Sequence, residues 1–290
     1  MEGKVITVTG GASGIGLALV RLLAEQGASL SIADLNTRGL DALEAEFKDK
    51  HPNYLYTRVN IAVEAEVRDW IAATTKHFGR PLDGAGNCAG IVGLTNKAMP
   101  LTAIKNANWD LCLAVNLTGN MYCMREELRN MADGGSVVSV ASVAGLEGLA
   151  GLSPSCAAKH GVIGLTRAVA KEIGECRIRA NVVAPGNIDT PLLAAALKGR
   201  EGRTYASAIP RDGTPTEVAT MLLGKRCAHP NSPKEVVPAV DQREGGRGAC
   251  NRARSSGSRG ARQPALRNAP TIVRRPRCLT GRMDDACQLS

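Results

Sequence analysis

Val5-Ile6-Thr7-Val8-Thr9-Gly10-Gly11-Ala12-Ser13-Gly14-Ile15-Gly16 is the stretch that decides the fold. Five β-branched residues, which pack well on a pleated sheet, run straight into glycines. That is the pattern of a short buried parallel strand. From Ile15 to Gln26 apolar residues recur at helical spacing, and Gly27 closes the helix. Glycines between such a strand and such a helix allow a tight turn. They also let the backbone approach a pyrophosphate, whose charge the helix N-terminus stabilises. A tight turn with no ligand is the plain alternative.

The same alternation continues outward. Strands are expected at 29–33, 54–59, 82–87, 136–140 and 178–183, and helices at 40–48, 63–78, 109–131 and 155–174. The fourth strand is diluted by Gly84 and Gly86. Strand and helix in alternation imply a doubly wound parallel sheet, a three-layer αβα domain of the α/β class. No internal repeat is evident. Residues 1–223 read as one domain, with an aliphatic core, since the chain has only two Phe and two Trp.

Residues 224–290 read differently. They are rich in Arg, Gly, Pro and Ser and carry no periodicity, and no strand-like run there is longer than Thr271-Ile272-Val273. The last fifty residues hold eleven Arg and four acids, and so carry most of the net charge of +9. Such a tail fits a disordered solvated extension, or the out-of-frame end of a gene product; the second is slightly favoured. No aromatic residue follows Tyr205, so base stacking is not offered and nucleic acid is not the expected partner. No apolar run reaches the roughly 18 residues of a membrane span, and no secretory signal opens the chain. A cytoplasmic protein with reduced thiols is expected, and neither Cys nor His shows metal-ligand spacing.

Over residues 4–222 the chain resembles the short-chain dehydrogenase/reductase family, whose fold is the Rossmann fold. The glycine stretch has that family's Thr-Gly-x-x-x-Gly-Ile-Gly spacing, which assigns Thr9, Gly10, Ser13, Gly14, Ile15 and Gly16 to a nicotinamide dinucleotide. Asp34 ends the second strand, 18 residues past Gly16. A carboxylate there accepts hydrogen bonds from ribose hydroxyls and repels a 2′-phosphate, so NAD(H) is favoured over NADP(H). Arg38 keeps NADP(H) open, and an N-cap of the next helix is the structural alternative for Asp34. Asn60 stands where the family contacts adenine. Asn87-Cys88-Ala89-Gly90 resembles the turn that lies along the adenosine, with Asn87 stabilising the sheet. Pro185 and Gly186, followed by Ile188 and Thr190, resemble the loop at the nicotinamide carboxamide.

By the same resemblance Asn116, Ser142 and Lys159 occupy three of four catalytic positions. Asn116 is expected to prop open a water relay, Ser142 to polarise a carbonyl oxygen, and Lys159 to bind the nicotinamide ribose. The bland readings are a satisfied helical Asn and a loop-capping Ser. The fourth position, four residues before Lys159, is tyrosine in the family and Ser155 here. An aliphatic hydroxyl is a far weaker acid than a phenol, and it is several Å shorter. Tyr54, Tyr56 and Tyr122 are remote in sequence, and Tyr205 lies in a variable lid region.

Three functions remain open at this point. The first is an NAD(P)-dependent oxidoreductase acting on a carbonyl or alcohol of a small molecule. The second is a non-redox isomerase, dehydratase or cyclase on the same scaffold, and the third a catalytically silent member. The wording Cys156-Ala157-Ala158-Lys159-His160-Gly161-Val162-Ile163-Gly164-Leu165-Thr166 is similar to fungal members that tailor secondary metabolites. The helices bearing Asn116 and Lys159 are the family's dimer surface, so a homodimer at most is expected.

Overall fold

The computed structural model describes residues 1–51, 53–94, 98–197, 214–223 and 236–237. The chain divides into Met1–Arg254 and Ser255–Ser290, and no residue of the second unit is among those described. The expected tail 224–290 therefore lies outside the described residues, apart from Val236 and Val237.

Six parallel strands form the sheet: β1 Val5–Thr9, β2 Ser29–Asp34, β3 Leu55–Arg58, β4 Leu82–Asn87, β5 Met131–Val140 and β6 Arg179–Val183. A short β7, Val236–Val237, adds to β6 in antiparallel sense. No strand was expected there. The order β3-β2-β1-β4-β5-β6-β7 reverses direction beside β1, so the crevice between the ends of β1 and β4 is the topological switch point.

Helices cover both faces. On one, α1 (Gly14–Glu25), α2 (Thr37–Phe47) and α8 (Pro215–Leu222) bury Leu19, Leu23, Leu43 and Leu222 against the sheet. On the other lie α3 (Glu64–Phe78), α4 (Asn106–Leu113), α5 (Asn120–Arg129) and α6 (Ser153–Glu172). Their core includes Trp70 and Ile71 of α3, Met124 of α5 and Val162 of α6. Several polar groups inside are paired: Trp70 Nε1 donates to Ser31 Oγ at 2.9 Å, which in turn meets Thr74 Oγ1 at 2.7 Å, whereas the buried hydroxyls of Tyr54 and Tyr56 have no partner among the described residues. Pairing removes the penalty for burying such groups. A short helix, α7 (Pro191–Leu197), follows β6.

The single helix expected over 109–131 is broken. α4 and α5 are joined by a π-helical turn at Ala114–Gly119. Two close contacts accompany it. Asn116 reaches out of the helix to the backbone of Ile91, accepting from its N–H and donating to its carbonyl, both at 2.8 Å. Gly119 lies so close to Ile61 that a Cβ would sit 2.9 Å from the Ile61 carbonyl oxygen. Single π-turns of this kind often mark functional positions.

Cys88, Cys112, Cys123 and Cys156 are free thiols. Among the described residues no helix is long and apolar enough to cross a membrane, and no group of three or more His, Cys, Asp or Glu could hold a metal.

Candidate active site

A cleft of about 440 Å³ opens at the switch point. Its floor is the turn between β1 and α1: Gly10, Ser13, Gly14, Ile15 and Gly16. Asp34 and Asn60 close one end, Ala89 and Gly90 line the side above β4, and Thr190 forms the opposite rim. Thr9 and Asn87 are buried just beneath.

The glycines are sterically required. A Cβ on Gly10 would stand 2.8 Å from both the N and Cα of Ala89, and one on Gly16 only 2.1 Å from the Gly10 carbonyl oxygen. Gly14 has φ +51° and packs against Thr190, whose Cγ2 would be 3.3 Å from its Cβ. The loop after β6 therefore touches the glycine turn directly. Thr190 Oγ1 accepts from Leu193 N at 3.2 Å, which caps α7 against the cleft. These contacts leave a backbone-lined cradle at a helix N-terminus, which fits a pyrophosphate.

Asp34 is not the N-cap of α2; that is Asn36, whose Oδ1 accepts from Gly39 N at 3.2 Å. Instead Asp34 Oδ2 accepts from Ala12 N at 3.0 Å and Oδ1 from Asn36 N at 2.9 Å. Each carboxylate oxygen keeps a further lone pair for a ligand hydroxyl. Asn60 Oδ1 accepts from Ala62 N at 3.1 Å, and Glu66 accepts from Asn60 N at 2.7 Å, so the end of β3 is fixed in a turn.

Asn116, Gly90 and Lys159 converge beside the cleft. A Cβ on Gly90 would lie 2.9 Å from Asn116 Oδ1 and 3.6 Å from Lys159 Nζ. Asn116 Nδ2 also donates to Cys112 Sγ at 3.2 Å, so both of its amide N–H groups are engaged. Lys159 Nζ donates to the Val140 carbonyl at 2.8 Å. Burial pulls the lysine down to about 8, against smaller opposing effects of the Cys112 and Cys88 thiols. Burial pushes Cys88 itself up to about 12. Ser142 caps the turn at Val143–Gly145, its Oγ accepting from Ala144 N at 3.1 Å. That bond uses a lone pair and leaves the O–H free to donate.

The Ser142 turn is pressed onto α6, where a Cβ on Gly145 would be 2.7 Å from the Lys159 carbonyl. Val143 N donates to the Pro185 carbonyl at 2.9 Å, which brings Pro185 and Gly186 alongside, and Ile188 is buried behind them. Ser155 sits near the start of α6, four residues before Lys159 and half-buried. Its hydroxyl has no hydrogen-bond partner among the described residues.

No described tyrosine reaches this place. Tyr54 and Tyr56 pack near α2, and Tyr122 lies under Arg125 on the α3 side, 5.3 Å from ring centroid to guanidinium. Tyr205 lies outside the described residues. Ile61, beside Asn60 in the stretch expected at the adenine, lines the cleft; Leu35, Ile91, Val115 and Leu192 also line it, and these four were not expected there. Leu35, directly after Asp34, is a large apolar residue left 54 % exposed.

A cleft of this form on a doubly wound sheet defines a dinucleotide-binding α/β protein. Residues 4–201 match the short chain dehydrogenase family, and the chain belongs to it. It is 48 % identical over 194 residues to short-chain dehydrogenase/reductase ABA4 of Pyricularia oryzae, covering 67 % of this chain and 72 % of that one. It is 41 % identical over 199 residues to levodione reductase of Leifsonia aquatica, covering 67 % and 73 %. Among solved structures, levodione reductase superposes with a TM-score of 0.71 at 35 % identity, covering 77 % of this chain and 90 % of that one. A 3-ketoacyl-(acyl-carrier-protein) reductase from Brucella melitensis, complexed with NADH, gives 0.68 at 26 %, covering 81 % and 94 %. The protein is thus a short-chain dehydrogenase/reductase enzyme with a nicotinamide dinucleotide as its cofactor.

Proposed function

We propose that this enzyme prefers NAD(H) and interconverts a carbonyl and an alcohol on a small organic molecule. The single observation that carries the cofactor preference is Asp34. It faces the cleft with acceptor oxygens and would repel a 2′-phosphate. When bound, the nicotinamide supplies or takes up the reducing equivalents. The residues around it do the rest. The glycine turn holds the pyrophosphate, and the apolar Leu35, Ile61 and Val115 exclude water from the adenine end. The Ser142 hydroxyl donates to the substrate oxygen. Lys159, with its pKa drawn toward neutrality, holds a proton within reach of the same region.

Ser155 takes the tyrosine's place in this reading. Its position one helical turn before Lys159 supports that assignment. Proton transfer then runs through a water between Ser155 and the substrate oxygen, with a loss of about 10²–10⁴ relative to a positioned acid. The same residue favours a second reading, a non-redox or silent member that keeps the cofactor site. Similarity to the fungal relative supports a step that tailors a secondary metabolite, and a homodimer through α5 and α6 is the assembly we favour. The test is a panel of ketones and secondary alcohols followed by nicotinamide absorbance with NADH or NAD⁺. Turnover of any pair supports the oxidoreductase. Tight NADH binding without turnover supports the second reading.

A further inference from the structure

Glu127 is wholly buried on α5, beneath the floor of the cleft, and among the described residues no cation pairs with it. Its Oε1 accepts from Thr7 Oγ1 of β1 at 3.2 Å, and its Oε2 from Asn87 Nδ2 of β4 at 2.8 Å. The other end of Asn87 continues the chain: Thr9 Oγ1 donates to Asn87 Oδ1 at 3.5 Å. Thr9 Oγ1 in turn accepts from Ala89 N at 3.3 Å. Ala89 is the residue against which Gly10 packs, and both line the cleft.

Each bond sets the direction of the next. An ionised carboxylate only accepts, so Asn87 must turn its NH₂ toward Glu127 and its oxygen toward Thr9. Thr9 must then spend its one proton on Asn87, which leaves a lone pair for Ala89 N–H. We propose that Glu127 is a positioning residue of the dinucleotide site, holding the Ala89 edge of the cleft through Asn87 and Thr9. The proposal rests on the cofactor reading above.

The network has a proton switch. Burial raises Glu127 to about 7, against the lowering effect of Asn87 and Thr7. A protonated Glu127 can donate, so Asn87 can face either way and the order is lost. The surroundings do not compete for that proton. Cys123 on α5 and Cys88 after β4 feel Glu127, and burial holds both thiols neutral. β1, β4 and β5 present the uncharged Thr7, Asn87 and Ser139. Glu64 of α3 and Glu126 of α5 are bonded to Arg125, and Arg129 to Glu126. Lys159 of α6 acts on Cys88 from the other side.

The experiment is an NADH fluorescence titration of wild type, Glu127→Gln and Glu127→Leu from pH 6 to 8.5, with unfolding curves for each. Wild type should bind at least about threefold more weakly at pH 6 than at pH 8, as linkage to a group titrating near neutrality requires. Glu127→Gln keeps an acceptor for Asn87 and cannot ionise. Like the protonated acid it can donate as well as accept, so at every pH it should bind about as weakly as wild type does at pH 6, and it should lose that slope. Glu127→Leu should fold yet bind at least about tenfold more weakly at every pH, because Asn87 loses the partner that orients it. Glu127→Gln with the wild-type slope, or folded Glu127→Leu with wild-type affinity, would overturn the proposal alone. Should Glu127→Leu not fold, the Glu127→Gln slope decides. Folded wild type that binds no NADH would overturn the cofactor reading and this proposal with it.

Discussion

Asp34 accepts a hydrogen bond from the Ala12 amide at 3.0 Å, tying the end of β2 to the middle of the glycine turn. The carboxylate thus shapes the cradle and, in the function proposed above, also meets the ribose. Hydrogen bonds to a charged group contribute about 1.5–3 kcal/mol, so Asp34→Ala should weaken NADH binding by roughly 10- to 100-fold. NADPH, relieved of the repulsion, should lose much less. Parallel titrations with both dinucleotides would show the two affinities converging. Equal losses for both would mean that Asp34 only shapes the turn.

Two alanine substitutions for glycine should act in opposite directions. Gly90→Ala puts a Cβ 2.9 Å from Asn116 Oδ1 and 3.6 Å from Lys159 Nζ. Overpacking of this kind typically costs about 1–3 kcal/mol, and here it also displaces Asn116. Gly164 lies inside α6 with nothing within 4 Å of its Cβ position. Gly164→Ala should therefore stabilise the protein by about 0.5–1 kcal/mol and leave NADH binding unchanged. Urea unfolding curves with a cofactor titration on each variant check both.

The pH dependence of stability should show two opposed groups. Glu127 is raised from 4.5 to about 7, so the native state holds a proton that the unfolded chain releases. The stability it contributes is present below about pH 4.5 and is lost as pH rises to about 7, roughly 3 kcal/mol in all. Lys159 is lowered from 10.5 to about 8, so here the unfolded chain binds the extra proton. Its contribution is present above about pH 10.5 and is lost as pH falls to about 8. Stability should thus dip between the two, near pH 7–8. Wild type minus Glu127→Gln, measured by urea unfolding at pH 5 and 7.5, isolates the acid arm. A flat difference would contradict it.

Ser155→Tyr should raise ketone reduction by about 10²–10⁴-fold, the usual contribution of a positioned proton donor. Its NADH affinity should stay close to wild type, since Ser155 is not among the residues lining the cofactor cleft. No gain with any ketone, in a folded variant that binds NADH, would favour the non-redox reading.

The parallel sheet was legible, and so were many of the residues that line the cleft, because both rest on local rules. Val5–Thr9 reads as a strand from β-branching alone, and Gly10, Gly14 and Gly16 read as a phosphate turn from their spacing. The π-turn at Ala114–Gly119 was not legible, since Asn116 reaches a backbone 25 residues away in sequence. Glu127 was missed for a related reason. It lies four residues after Cys123, on the buried stripe of α5, but only the packed structure brings Thr7 and Asn87 to it. Ile91 and Val115 look like ordinary core residues until the cleft assembles around them. β7 was too short to stand out from its surroundings.

The most direct test is a titration of the purified protein with NADH and NADPH, following nicotinamide fluorescence. The account predicts saturable micromolar binding of NADH and clearly weaker binding of NADPH. A folded protein that binds neither, or that prefers NADPH, would contradict it.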